Sequence, residues 1–438
     1  MSFRYFLAPL FALFPVFSFA DVAVPKTPAG QALSAFLEAV NSGDRAIEES
    51  FLSAWPSKLT VDDIEEWKKV SGGYDLLEVR SSDPTNVFFR IRQKARAVEE
   101  AGRLQVSEET PVSLRMVNAW RMPPGATFDP ITLDDAARAR VVESAAGILE
   151  QFHIDVKTGK QLASELRKRL AGGEYRDIPY GDWLAKKVTA DLRDIVHDDH
   201  LQLRFNYWLS TTESAAKQSE EEARQAVAAH CFFDKVEHLP PNVGYLKFNV
   251  FADPDACAKA AGEAMNTLAD SDALIIDLRD NRGGRGGMGE LLASYLFAGR
   301  THLADSFRRA DNVTTESWTT PDVPGRKFLG KPVYVLISRN TFSAGEGFSF
   351  VLQAQKRATL VGETTVGGSG TIEFKPIDAH FTLVVPTGRV TSPANRKDFV
   401  GTGVVPDVTV PAAEALDVAL RLAAQSRHGN RSGAGAKP

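Results

Sequence analysis

The sequence predicts an α+β multidomain protein: a small α+β domain, a three-helix subdomain, and a C-terminal α/β core with a mainly parallel sheet. Three observations predict it. Helical periodicity near the start gives way to four strand-like runs before Met122-Pro-Pro-Gly125. Three more helical patterns then follow one another closely. From Val243 onward, apolar strand-like runs alternate with amphipathic helices, which is the rhythm of βαβ units.

A chain of 438 residues has room for two or three domains and a substantial core. Its 51 Lys and Arg against 56 Asp and Glu give a net charge of −5, with no long run of either sign. Nothing here suggests a nucleic-acid binder, and the polybasic surface of a membrane-docking protein is missing. Arg4 precedes an apolar run from Phe6 to Phe17, and Ser18-Phe19-Ala20 has the small-x-small form of a signal-peptidase site. The run is short for a membrane span and Pro15 interrupts it. Residues 1–20 therefore read as a cleaved secretory signal rather than an uncleaved anchor. The mature protein is expected to be exported, periplasmic or extracellular, with no stable membrane anchor. In an oxidising compartment Cys231 and Cys257 can form a disulfide or remain two separate buried thiols.

In chain order, residues 21–122 form the accessory domain. Leu33, Phe36, Leu37 and Val40 make one helical face, and a second helical segment covers Ile47–Trp55. Strand-like runs follow at Asp75–Arg80, Asn86–Arg92, Leu104–Val106 and Val112–Arg121. This small domain resembles cystatin-like and nuclear-transport-factor-like folds, and it carries no catalytic constellation. After the Pro-Pro-Gly linker, residues 129–200 hold three helices. The first is capped by Thr132-Leu-Asp-Asp135, the second carries Leu162, Leu166 and Leu170, and the third carries Val188, Leu192 and Ile195. Residues 201–425 make the core, with buried strands at Ala273–Leu278 and Val333–Ser338 and a last amphipathic helix near Ala412–Ala424. The Gly-, Ser- and Arg-rich residues 426–438 read as a disordered tail.

Three clusters could carry chemistry. Ser343 follows a buried strand, is crowded by Ala344, Gly345 and Gly347, and precedes a helix. A hydroxyl there lies near free helix N–H groups and can serve as a nucleophile, or simply as an N-cap. Asp277-Leu-Arg-Asp-Asn-Arg-Gly-Gly284 runs from a buried strand into paired glycines, whose bare N–H groups can approach a ligand. Its spacing is not that of a dinucleotide fingerprint, and the alternative is a plain loop. His197-Asp-Asp-His200 offers a metal pair or a solvated helix end whose histidines favour the C-terminal dipole. A metal pair is disfavoured because no third ligand of obvious spacing follows.

In this order, Asp-x-His, Asp-Leu-Arg-x-Asn-x-Gly-Gly, Thr-Phe-Ser-Ala-x-Glu and Gly-Glu-x-Thr-x-Gly-Gly resemble the S41-type serine peptidases, the tail-specific and tricorn protease superfamily. The branch they look most like is that of interphotoreceptor retinoid-binding protein, over roughly Leu133 to Val410. The resemblance implies a ClpP/crotonase-like core with Ser343 as nucleophile and His200 as general base. It implies an oxyanion hole from the N–H groups of Gly283 and Ala344, with Gly284 supporting the loop. Tail-specific proteases carry a lysine base after the Gly-Glu-x-Thr-Phe-Gly pattern, where this chain has Gly368, so His200 is expected to supply the base. Tricorn-like members place a glutamate just before Gly-Val-x-Pro-Asp, where this chain has Val400. Asp198, Asp199 or Glu346 would then orient the histidine. The expected function is an exported serine endopeptidase acting on a peptide or protein, with no cofactor and no metal. A non-catalytic binder of an apolar ligand or peptide, or an esterase, are the alternatives on the same scaffold.

Overall fold

The computed structural model describes residues 22–368 and 370–433, so the signal-like segment 1–20 lies outside the described residues. The chain is mixed α+β and divides after Met122 into two units.

The first unit holds α1 (Pro28–Ser42), α2 (Arg45–Ala54) and α3 (Val61–Ser71). These precede the antiparallel strands β1 (Tyr74–Ser82), β2 (Asn86–Gln93), β3 (Glu99–Val106) and β4 (Leu114–Arg121), which pair in sequence order. α1 starts where Thr27 Oγ1 accepts the Gly30 N–H at 3.1 Å, and it stops at Gly43, where φ is +62°. Its face of Leu33, Phe36, Leu37 and Val40 packs on Val87, Phe89, Ile91 and Leu104 of the sheet. Each side chain so buried contributes on the order of 1.5–3 kcal/mol. α3 has no counterpart in the sequence reading, because Ile64 and Ser71 are its only buried positions and six of its other nine residues are charged.

The second unit opens with β5 (Thr127–Phe128), α4 (Asp135–Phe152), α5 (Val156–Ala171) and α6 (Gly181–Arg193), then β6 (Gln202–Phe205) and β7 (Trp208–Leu209). The polar stretch after Ser210 is α7 (Thr212–Ala228), capped by Thr211 and Ser214. The core then runs β8 (Phe233–Leu239), β9 (Val243–Phe248), α8 (Pro254–Leu268), β10 (Ala273–Asp277), α9 (Gly286–Ser294), β11 (His302–Arg308) and β12 (Val313–Trp318). It continues with β13 (Val333–Ile337), α10 (Ala344–Ala354), β14 (Thr359–Gly362), β15 (Thr371–Pro376), β16 (Phe381–Thr391), β17 (Val408–Thr409) and α11 (Ala415–Gly433).

One sheet has the order β17-β14-β13-β10-β9-β8, parallel throughout except for edge strand β8. β10 and β13 are buried at every position, because helices cover both faces. Leu246, Ile276 and Val335 pack toward residues of α8, α9 and α10, while Tyr245, Ile275 and Leu336 meet Ala415, Ala419 and Ala423 of α11. A second, antiparallel sheet has the order β12-β11-β16-β15, with β6 on β16. Its Leu203, Phe381, Leu383 and Val385 share a core with α4, α5 and α6.

β8, β11 and β12 are strands the sequence reading did not mark: β12 is largely exposed, and a register shift between His302 and Ala304 breaks the alternation of β11. α11 continues past Ser426, where a disordered tail was expected, as far as Gly433; residues 434–438 lie outside the described residues. Cys231 and Cys257 are bonded to each other and tie the turn before β8 to α8. Among the described residues no helix is long and apolar enough to cross a membrane. β9, β10 and β13 end side by side, and the loops that follow them meet there, as at binding sites of open α/β sheets.

Candidate active site

The site is assembled from the loop after β13. Thr341 is fully buried; its hydroxyl donates to the Leu278 carbonyl at 2.8 Å and accepts the Ser338 N–H at 2.9 Å. The Phe342 N–H donates to the Asn281 carbonyl at 3.0 Å. Between these anchors and α10, Ser343 is forced to φ +56° and ψ −119°, a conformation that side-chain-bearing residues avoid. Such strain persists only where the surroundings impose it, and it lifts the side chain out of the turn.

Glu346 helps to impose it. This fully buried carboxylate accepts the Ser343 N–H (2.9 Å) and the Gly368 N–H (3.1 Å) on one oxygen. On the other it accepts the Gly367 N–H and the Thr365 hydroxyl, both at 2.6 Å. Burial pushes its pKa above the usual carboxylate range, opposed by these donors. Glu346, expected as one candidate to orient the histidine, is thus engaged by three backbone N–H groups and the Thr365 hydroxyl.

The glycine loop lies against the serine. A Cβ on Gly283 would sit 2.6 Å from Ser343 Cβ, and Gly283 has φ +94°, so only glycine fits there. Its N–H, however, donates to Asn281 Oδ1 at 2.8 Å. The Gly283 donor expected for the oxyanion is thus engaged within its own loop. Gly284 is exposed and bridges Phe251 in parallel: the Phe251 N–H donates to the Gly283 carbonyl and the Arg285 N–H to the Phe251 carbonyl, each at 2.8 Å. That pattern turns the N–H of Gly284 itself to the opposite side. Ala344, first residue of α10, has an N–H with no helical partner one turn back. Asn281, to which sequence reasoning gave no role, is fully buried; its Nδ2 donates to the Phe248 carbonyl at 3.0 Å and its Oδ1 fixes the loop.

His200 lies between α6 and β6 and is 7% exposed. Its Nδ1 is 3.2 Å from Asp198 Oδ1, the same oxygen that accepts the His200 N–H at 2.9 Å. The ring stacks on Phe342, the neighbour of Ser343, with centroids 4.3 Å apart. Of the three carboxylates considered as its partner, Asp198 is the one beside it. Asp199, also expected as an orienting candidate, is exposed and turned to Arg193 (3.6 Å) and Arg282 (3.4 Å). His197 is exposed.

Gly368 explains why this chain has no lysine there. A Cβ at that position would stand 2.4 Å from a Phe342 ring carbon and 3.0 Å from His200 Cε1. The stacked His200–Phe342 pair fills the volume a side chain would need. Val400, in the expected glutamate position, is half-buried and donates its N–H to Asp398 Oδ1 at 3.2 Å.

Ser343, Ala344 and Gly284 open onto a pocket of about 330 Å³, walled by Leu303, Phe348, Val351 and Phe399. On its hairpin, His302, Asp305 and Glu316 bring donor atoms within 4.8 Å of one another, with Glu316 exposed. His302 Nε2 lies 2.9 Å from Asp305 Oδ1, which makes the pair an ion pair when the ring is protonated.

The class defined by this fold and site is that of α/β proteins in which a serine on a strained strand-to-helix elbow faces a glycine loop. Residues 242–410 match peptidase family S41, and residues 131–238 match the N-terminal domain of peptidase S41 in eukaryotic IRBP. Both matches are to models of peptidase family S41, one to its peptidase domain and one to its N-terminal domain. It is 30% identical over 175 residues to carboxyl-terminal-processing peptidase 2, chloroplastic, of Arabidopsis thaliana, covering 39% of this chain and 32% of that one. It is 29% identical over 174 residues to the carboxyl-terminal-processing protease of Synechocystis, covering 39% and 38%. The chain thus spans about a third of the length of these curated relatives. Among solved structures, a lipoprotein from Streptococcus agalactiae aligns with a TM-score of 0.47 and 16% identity, over 67% of this chain and 97% of that one. The photosystem II D1 C-terminal processing protease aligns with a TM-score of 0.41 and 14% identity, over 63% and 93%.

Proposed function

We propose that this chain is an exported serine-type endopeptidase that cleaves a peptide or protein substrate through an acyl-enzyme. Ser343 attacks the scissile carbonyl. Asp198 on Nδ1 fixes the histidine tautomer, so that Nε2 of His200 takes the serine proton and returns it to the leaving amine. The N–H groups of Gly284 and Ala344 bind the oxyanion, a contribution of about 3–4 kcal/mol per donor in related chemistry. Water then enters by the same base and releases the acyl group. No cofactor or metal has a part in this scheme. The observation that carries it is the occupation of the Gly368 side-chain volume by the stacked His200–Phe342 pair, beside a strained serine. A site that excludes the lysine needs a different base, and His200 with Asp198 supplies one.

In this reading residues 1–20 are the removed signal and residues 21–122 a cystatin- or nuclear-transport-factor-like accessory domain. Residues 129–200 form the helical subdomain that delivers the base, and 201–425 the ClpP/crotonase-like core. The Cys231–Cys257 disulfide supports an oxidising, extracytoplasmic location. The test is turnover of fluorogenic peptides and of an unfolded protein by the wild type and by Ser343→Ala. Cleavage abolished by the substitution is expected, and cleavage that survives it would end the proposal. The apolar pocket wall supports a second reading, an esterase or apolar-ligand binder. Ester hydrolysis without peptide hydrolysis, or tight ligand retention without turnover, would favour it.

A further inference from the structure

We propose that Glu290 makes the pocket beside Ser343 selective for a cationic side chain, lysine or arginine, on the acyl side of the scissile bond. This deepens the serine-hydrolase reading and rests on it. The pocket is lined by the nucleophile and by both proposed oxyanion donors, Gly284 and Ala344. A side chain entering it therefore belongs to the residue whose carbonyl rests on Ser343. Its wall is apolar: Leu303, Phe348 and Phe399 are 3%, 5% and 2% exposed. Against that wall stands one carboxylate. Glu290 projects from α9, is half-buried, and accepts the Ser317 hydroxyl of β12 at 2.7 Å on Oε1. Ser317 lines the same pocket and pairs with Ala304, another lining residue, so the hydrogen bond reaches from α9 to the β11–β12 hairpin.

Glu290 has no ion-pair partner among the described residues. A partly desolvated carboxylate walled by carbon is costly unless a cation meets it. Ser317 holds one oxygen in place and leaves Oε2 to the occupant. Lysine and arginine suit this geometry because their stems are apolar and their heads are charged donors. The stem would lie along Phe348 and Phe399 while the head reaches Glu290. An aspartate or glutamate would set two carboxylates against each other and is excluded.

The experiment uses fluorogenic peptides that differ only at the residue before the scissile bond, lysine, arginine, leucine or glutamate, with wild-type protein, Glu290→Gln and Glu290→Lys. The readout is the ratio of kcat/KM for lysine to that for leucine within each preparation, which does not depend on the folded fraction. The wild type should favour lysine, and Glu290→Gln should lower the ratio at least about tenfold. Glu290→Lys should move preference toward the glutamate peptide. A wild type that favours leucine, or a ratio unchanged in Glu290→Gln, overturns the assignment. Fluorophosphonate labelling of Ser343 in the same wild-type sample reads the serine chemistry by itself. Labelling with an unchanged ratio removes only the role of Glu290, whereas absence of labelling removes the underlying reading as well.

Discussion

Replacing Gly368 by alanine should disable the site without removing any proposed catalytic side chain. The new Cβ would start 2.4 Å from Phe342 Cε2 and 3.0 Å from His200 Cε1. Carbon atoms rest at about 3.5–4.0 Å, so the Phe342 ring must retreat by about 1 Å, carrying the histidine stacked on it. A displacement of about 1 Å between reacting groups can cost about 10²-fold in rate. Overpacking of this kind also destabilises by roughly 1–3 kcal/mol. The assay is the second-order rate of peptide cleavage together with a thermal melt. Gly368→Ala should fall about a hundredfold in kcat/KM, mostly in kcat, with a modest loss in Tm. A variant with wild-type kcat would mean that the His200–Phe342 stack does not position the base, and the reasoning would be refuted.

Other substitutions separate the remaining roles. Asp198→Asn should lower kcat by as much as about 10⁴-fold through loss of the tautomer-fixing carboxylate, while Asp199→Asn should have little effect; equal losses in the two would move the orienting role. Asp277 is fully buried; burial opposes its charge, but hydrogen bonds from Arg279 and Tyr245 outweigh this and hold its pKa below the usual range. A carboxyl depressed in the folded state contributes stability that is present above its ordinary pKa and is lost as the pH falls through the lowered value. Asp277→Asn should therefore cost roughly 3–5 kcal/mol at neutral pH and flatten the acid side of the stability curve, read by denaturant unfolding between pH 3 and pH 7. Cys257→Ser should cost about 3 kcal/mol, from a bridge whose cysteines are 26 residues apart, and a reductant should lower the wild-type Tm but not the variant's.

Much of the framework was legible in the sequence, for physical reasons. Buried parallel strands such as Ala273–Asp277 and Val333–Ile337 announce themselves as unbroken apolar runs, and the turn into α10 as small residues around Ser343. Local pattern failed where burial is sparse, as in α3, or where bulges and exposure blur the alternation, as in β11 and β12. Within the site, spacing pointed to the glycine pair but not to which N–H is free. That depends on Asn281, whose side chain takes the Gly283 donor. Asp198 could not be separated from Asp199 or Glu346 by sequence, because the choice depends on which way adjacent side chains point. The absence of a lysine at Gly368 was visible in the sequence, whereas its cause, a stacked pair formed by residues 142 positions apart, was not.

The central claim is that Ser343 is a nucleophile activated by His200. Its most direct test is the rate of adduct formation with a fluorophosphonate, followed by intact mass and located by peptide mapping, in wild type, Ser343→Ala and His200→Ala. A single adduct on Ser343, absent from the first variant and formed at least about a hundredfold more slowly in the second, is the predicted result. An adduct on another residue, or one that forms as fast without His200, would contradict it.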